Sequence, residues 1–581
     1  MRKLLLLPLT TLLVVAIVSC NKNGFLDQTV TSSLNEQTVF ADSTNSIAFL
    51  SQIYSDIGFT QDPRRFGGGG YAAGLDASSD EAEGPNASST NGFIQFATAS
   101  VNPTVVPDDA WGIPYKNIRA VNIFLRNLYR MPFSASQKTA TESEARFLRA
   151  WYYAMMLQHY GGVPLIGDTV YTAENTIPAI RNTYAECVNY ILAECDFAAS
   201  NLPNIQSGSQ FGRISRAGCL ALKSRVLLFA ASPLFNNGGT SGGGALASIV
   251  AYPDADNNRW KLAADAAAAV IGLNAHSLYY DSTTHPAEKG FGFQRQFMER
   301  FTSEQIISRM MNNNKYLESF WDVPSRGGSG GPFPYQETVD AFGMANGLAI
   351  TDPASGYDAQ NPYSNRDPRL DYTIIHDSTL RPIFGTNAAS PVLLYTNLAT
   401  TPPTSASGDA VFRGTPTGFY IYKMVDREII NNSLGESKRQ LPLIRYAEIL
   451  LNYAEAQNEF LPGPDASVYS AVESIRRRAG LRPYELPAGL SKEQMRDAIR
   501  RERQVELMYE GHRFFDVRRW MIAEQTQDQM MHGMEIRRNG AVKTYNIFNV
   551  RKHNFTRAMY LWPLPLKEIS KSPELLQNPL Y

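Results

Sequence analysis

"IRYAEILLNYAEAQNEF", residues 444–460, alternates small and aromatic side chains along what reads as one continuous helix, the composition that lets a neighbouring helix pack closely. Helical pattern continues after it in "SVYSAVESIRRRAG" (467–480) and "KEQMRDAIRRERQVELMYEGHRFFDVRRW" (492–520). Before it, from about 275 to 440, the chain is rich in Gly, Pro, Ser, Asn and Tyr. Only short strand-like pieces such as "TGFYIYKMV" interrupt that stretch. Helical spacing returns further upstream, in "NRWKLAADAAAAVIG" (258–272), at about 215–231 and 181–200, and in "TESEARFLRAWYYAMMLQHYGG" (141–162). In the last of these, Thr141 to Glu144 matches a capping box and Gly161 a stop. A further helix starts near Asp108, and Ser43 to Ile57 places Ile47, Leu50, Ile53, Tyr54 and Ile57 on one face.

Helices of this length recurring in pairs predict a mostly α fold: tetratricopeptide-like helix pairs forming a superhelical scaffold. A large, irregular, loop-rich insertion carrying short strands is predicted between them, and loops that long are usually functional. Three segments are expected: 1–19, a cleaved leader; 20–235, an N-terminal helical region; and 275–581, a C-terminal region packed with it as one body. The 581 residues leave room for one large core or about two to four smaller ones. The 44% hydrophobic and 19% charged content is that of a globular chain, and a net charge of -1 speaks against a nucleic-acid partner.

The leader begins with Arg2 and Lys3 and runs apolar from Leu4 to Val18, too short to span a bilayer comfortably, with Pro8 interrupting it. Ser19 and Cys20 end it, and the order resembles a bacterial lipoprotein signal in which Cys20 becomes the lipidated first residue. Such a chain is tethered to a membrane rather than spanning it. Cys187 and Cys195 would lie about 12 Å apart along one helix at 1.5 Å per residue, too far to bond. With Cys219 they read as small buried hydrophobes, neither a disulfide framework nor a metal site.

Motifs for catalysis are weak. G-x-S-x-G occurs at Gly239–Gly243 and Gly327–Gly331, in glycine runs rather than on a strand-to-helix turn. The histidines form no H-E-x-x-H and no metal-binding i, i+4 pair. Asp80, Glu81, Asp108 and Asp109 are carboxylates whose arrangement in space the sequence does not give. The reading is therefore a protein that is not an enzyme and has no cofactor and no metal. For binding, aromatic rings in loops and polar groups beside them count most, because sugar C–H faces stack on rings and sugar hydroxyls pair with Asp, Asn and Arg. "RRFGGGGY" and "YLESFWDVPSRGGSGG" supply Phe66, Tyr71, Tyr316, Phe320 and Trp321, with Arg65, Asp80 and Arg326 beside them. A shallow site built from the 58–85 loops and the 310–335 segment is expected, with Trp321 its foremost ring and Tyr71 second. Trp111 and Trp562 read as packing. The arginines of "IRRERQVELMYEGHRFFDVRRW" alternate with Glu502, Glu506, Glu510 and Asp516, so they read as salt-bridged packing rather than an anion site.

Several blocks in order resemble the SusD/RagB family of outer-membrane nutrient-binding lipoproteins. They are "EARFLRAWYYAMMLQHYGGVPLI" (144–166), "GRISRAGCLALKSRVLLFAASP" (212–233), "TVDAFGMANG" (338–347), "NRDPRL" (365–370), "LPLIRYAEILLNYAEAQNE" (441–459), "IRRERQVELMYEGHRFFDVRRW" (499–520) and the closing "LWPLPLKEISKSPELLQNPLY". The resemblance implies a lipid-anchored protein that captures oligosaccharides, less often peptides. It also implies a SusC-like TonB-dependent transporter as partner, and an outer-membrane location facing the cell exterior. The outward orientation comes from the family alone, since "NKNGFLDQ" after Cys20 lacks the acidic run of many surface-exported lipoproteins.

Overall fold

A computed structural model describes residues 35–66, 73–85, 92–107, 109–172, 174–175, 177, 179–240, 243–281, 283–383, 388–428 and 437–581. The leader, Cys20, Tyr71, Asp108 and Ser241 of the first G-x-S-x-G match lie outside them. The chain is mostly helical, with 43% helix against 11% strand.

The principal helices in chain order are α1 (Ser43–Tyr54), α2 (Asp109–Asn127), α3 (Ala135–Tyr160), α4 (Tyr184–Asn201), α5 (Arg216–Ala231), α6 (Asn258–Gly272), α7 (Tyr316–Trp321), α8 (Tyr446–Phe460), α9 (Ala466–Arg478), α10 (Lys492–Glu506) and α11 (Arg513–Arg519). Packing follows the chain: α2 on α3, α3 on α4, α4 on α5 and α5 on α6. The array then crosses the insertion, for α6 packs directly on α8, and α8 carries α9 and α10. Helix pairs from both ends of the chain thus form one continuous stack, with residues 273–445 excluded from it.

Sequence signals set most boundaries. Thr183 and Ser491 close capping boxes with Glu186 and Gln494, satisfying N–H groups that a helix start leaves orphaned. The longest helix differs from expectation. Its capping box is Ser134 with Gln137, and it begins at Ala135, so Thr141 lies within it and its hydroxyl donates to the Gln137 carbonyl at 2.8 Å. Gly161 ends it at φ 77, where a Cβ would meet the Val250 backbone at 2.9 Å. Leu148, Tyr152, Met155 and His159 face the core and are buried. The expected helix over 492–520 is broken instead. Tyr509 (φ 58) and Gly511 (φ 75) turn the chain between α10 and α11, and Lys423 Nζ takes the Glu506 and Met508 carbonyls at 2.8 and 2.7 Å. A cation at the helix C-terminus satisfies carbonyls that have no partner within the helix.

The insertion is clamped by an antiparallel pair, β1 (Gln305–Arg309) on β4 (Leu441–Arg445), with Leu441 opposite Arg309 and Arg445 opposite Gln305. β2 (Thr396–Asn397) and β3 (Thr404–Ser405) join β5 (Met530–Asn539) and β6 (Val542–Lys552) in a sheet of order β6-β5-β2-β3. β4 runs straight into α8, so Arg445 stands where insertion and helical stack meet. Cys187, Cys195 and Cys219 are free and buried.

Candidate functional site

The junction at Arg445 explains the arginine-rich block. Arg445 pairs with Glu304, Glu506 and Glu510, each at 2.7 Å. Arg478 pairs with Glu304 at 2.7 Å and also with Glu506, and Arg369 of "NRDPRL" reaches Asp367, Glu502 and Glu506 at 2.8, 2.6 and 3.0 Å. A second cluster joins Arg503 and Arg519 to Asp516, each at 2.8 Å, and Arg519 to Glu455. Burial alone would raise the Glu506 pKa, but Arg478 and Arg445 bring it down to about 2; Arg519 does the same for Glu455, also to about 2. These arginines are buried and ion-paired, and they hold elements together.

The structure does bring the two loop segments together. Ala82–Glu83 pairs with Phe333–Pro334 as a short antiparallel ladder, and Tyr316 Oη donates to Asp62 at 2.6 Å. Most residues expected to form an aromatic platform are nevertheless buried. Trp321 is 2% exposed and packed in the main core, its Nε1 without a hydrogen-bond partner among the described residues. Phe66 lies against Phe96 and Trp562, with ring centroids 6.0 and 6.1 Å away. Arg65, its side chain 1% exposed, binds Asp109 at 2.6 Å and approaches His159 Nε2 at 3.1 Å. His159 Nδ1 faces the Met155 carbonyl at 2.6 Å, and burial followed by Arg65 pulls its pKa well below the usual value. The neutral ring therefore donates from Nδ1 and accepts from Arg65 at Nε2. Asp80 is locked to Arg513 at 2.6 Å, and Arg326 is buried on Ser390 at 2.8 Å. These five side chains are scaffold rather than surface. Arg65 and Asp80 find their partners on the helical body beneath the loop, whereas Arg326 is held within the insertion by Ser325 and Ser390. Trp111 and Trp562 are buried as expected.

What remains at the surface is smaller. Tyr316 and Phe320 lie four residues apart on α7, so they share one face, half-buried, with ring centroids 5.1 Å apart in an edge-on arrangement. Trp321, one residue on, is rotated about 100° away and points inward. Arg64, its side chain 52% exposed, covers the Tyr316 and Phe320 rings at 4.5 and 5.6 Å. Asp62 organises the group. It accepts from Tyr316, from the Arg64 amide at 2.9 Å and from Arg309 at 3.0 Å. Burial would raise the Asp62 pKa, but Tyr316, the Arg64 amide and Arg309 lower it on balance; Tyr316 is raised by burial and by the bond to Asp62. The patch thus offers two rings, a fork of guanidinium donors and an ionised carboxylate, a set that can stack a sugar face and bond its hydroxyls. Arg64, Asp62 and Arg309 escaped the sequence reading. The signal for the first two was "QDPRR", where Asp before Pro marks an Asx-type turn that throws consecutive arginines to opposite sides.

Asp80 and Asp109 are tied to arginines and Glu81 is buried. Ser329 follows the 324–326 turn and precedes strand residues 333–334, the reverse of the strand-to-helix order that an elbow needs. No described helix is long and apolar enough to cross a membrane.

A mostly helical repeat scaffold with a loop-rich insertion is the class that the fold defines. The chain belongs to the SusD family: the model described as "SusD family" matches residues 293–581, and that described as "Starch-binding associating with outer membrane" matches 25–228. SusD-like protein P2 of Formosa agariphila is 24% identical over 479 residues, 81% of this chain and 79% of the relative. Among solved structures, a SusD-like carbohydrate-binding protein of Bacteroides fragilis superposes with a TM-score of 0.70 at 22% identity, covering 93% of this chain and 100% of that one. A laminarin-binding SusD-like protein gives 0.57 at 20%, covering 93% and 100%. At these identities the likeness speaks for the fold.

Proposed function

We propose that this protein is a lipid-anchored, surface-exposed glycan-binding protein of the outer membrane. It captures oligosaccharides and passes them to a SusC-like TonB-dependent transporter, acting by binding and not by catalysis. The observation that carries the reading is the Tyr316–Phe320 pair under Arg64, an aromatic edge left at the surface of a family described as starch-binding and outer-membrane-associated. The carbohydrate and laminarin binding of its structural relatives points the same way. Tyr71, outside the described residues, is proposed as a further ring of this edge. Attachment through Cys20 after loss of residues 1–19 follows from the lipoprotein-like leader.

Calorimetric titration of the protein against a panel of neutral plant and host oligosaccharides tests the binding. Saturable glycan binding supports the proposal, whereas binding of peptides and of no glycan refutes it. Mass spectrometry of the mature N-terminus tests the anchor, and an unmodified Cys20 still preceded by its leader would overturn it. Detergent-solubilised membranes should yield a barrel transporter with the protein; recovery without one would remove the transporter from the scheme.

A further inference from the structure

A second opening, of about 600 Å³, lies among α6, α8, α10 and the end of α11, and shares no residue with the Tyr316 patch. That volume is within the range of small-molecule sites, about 300–1,000 Å³. Trp260, Glu455, Glu459, Arg496, Arg500 and Trp520 line it.

Its charges are paired with one exception. Glu459 and Arg496 form a two-pronged bond at 2.5 and 2.6 Å. Glu455 accepts from Arg519 at 2.7 Å and from Trp520 Nε1 at 2.6 Å, and Asp516 holds Arg503 and Arg519. Arg500, one helical turn from Arg496 on the same face of α10, has no hydrogen-bond acceptor among the described residues. Its guanidinium lies 4.9 Å from the centre of the Trp520 ring. Burial lowers its pKa, and the attraction of Glu455 does not restore it. A half-buried guanidinium presents a planar fork of donors that matches a carboxylate or sulfate. Trp260 packs on Leu228, Ala231, Ala263, Ala264 and Ala456 yet remains partly exposed at the opening, available to a sugar ring.

We propose that this cleft is a second ligand site for an acidic sugar, its uronate carboxylate or sulfate ester on Arg500 and its ring against Trp260. The inference goes beyond the reading above, which requires only a neutral glycan on a different surface.

Titration of the full mature chain with trigalacturonate, its methyl ester, a sulfated disaccharide and sodium sulfate alone tests it. At least one acidic sugar should bind, the uncharged ester about tenfold or more weaker than the trigalacturonate, since charge-assisted bonds are the strong ones. Arg500→Gln should lose about tenfold or more on the acidic sugar, Arg500→Lys an intermediate amount because the charge stays and the fork goes, and Phe320→Ala nothing. Unfolding temperatures and circular dichroism establish that each variant is native; should Arg500→Gln not fold, Trp260→Ala takes its place with the same expected loss. Acidic sugars binding no better than the ester, a native Arg500 variant binding as wild type does, or inorganic sulfate competing as well as the sugars would each overturn the proposal. Neutral-glycan binding that survives any of these outcomes leaves the Tyr316 edge standing, so the two failures are separable.

Discussion

The buried junction around Arg445 and the edge around Tyr316 are built from the same materials: arginines, carboxylates and aromatic rings. They differ in how many carboxylates each arginine finds. Arg445 meets three, all at 2.7 Å and all buried, whereas Arg64, among the described residues, meets one, Asp62, at 3.9 Å, and lies over two rings. An arginine with its coordination filled is a structural strut; one resting on rings keeps its donors for another molecule. The contrast turns an arginine-rich sequence into two populations, and each can be perturbed separately.

Acid should separate them most completely. Glu455 and Glu506 ordinarily titrate near 4.5 and stand at about 2 in the folded protein. As pH falls, the unfolded chain takes up these protons first. The stability they supply is therefore complete above about pH 4.5 and is lost between 4.5 and 2. Circular dichroism followed from pH 5 to 2 should show cooperative loss of helix in that window; helix persisting unchanged at pH 2 would mean that the junction contributes little. Arg445→Met isolates one strut. It leaves Glu304, Glu506 and Glu510 buried with too few cations, and a loss of about 3–5 kcal/mol is expected in denaturant titration. A loss below about 1 kcal/mol would show that the remaining arginines carry the load.

The two regions were also unequally legible in the sequence. Helical period and the i, i+3/i+4 alternation of charge are local signals, so α6 appears at its expected bounds and Arg503, Arg513 and Arg519 pair with carboxylates as read, whereas Arg500 finds none among the described residues. Tyr509, with its positive φ, broke a pattern that looked continuous, because the turn rests on Lys423, more than eighty residues away, taking the freed carbonyls. The edge was legible only as a neighbourhood. "RRF" and "YLESFW" were the right segments, but a shift of one residue decides which ring or arginine faces out. That choice depends on Asp109, Asp62 and the core beneath, which no local pattern contains.

Trp321→Ala tests that shift directly. A ring 2% exposed in the main core should take about 3–5 kcal/mol of stability with it. Trp321→Phe keeps most of the volume and removes the unpartnered Nε1 donor, so its loss should stay under about 1.5 kcal/mol with glycan binding unchanged. Native stability in Trp321→Ala together with lost binding would restore the tryptophan to the surface and collapse the distinction between the regions.

The smallest effect is expected at the edge itself. Phe320 is half-buried, lies 5.1 Å from the Tyr316 ring and packs at the margin of the main core. A sugar–aromatic contact is worth about 1 kcal/mol, so Phe320→Ala should weaken oligosaccharide binding about fivefold. Its unfolding midpoint should move less than that of Trp321→Ala, because the ring is only partly buried and smaller than the indole. Tyr316→Phe is the companion measurement. It removes the hydroxyl that donates to Asp62 but keeps the ring, so affinity should change less than in Phe320→Ala if stacking is the main interaction. If Tyr316→Phe were the more damaging of the two, the Asp62 bond that positions the patch would outweigh the rings. The edge would then bind through Arg64 and Asp62, as a polar clamp rather than a stacking platform.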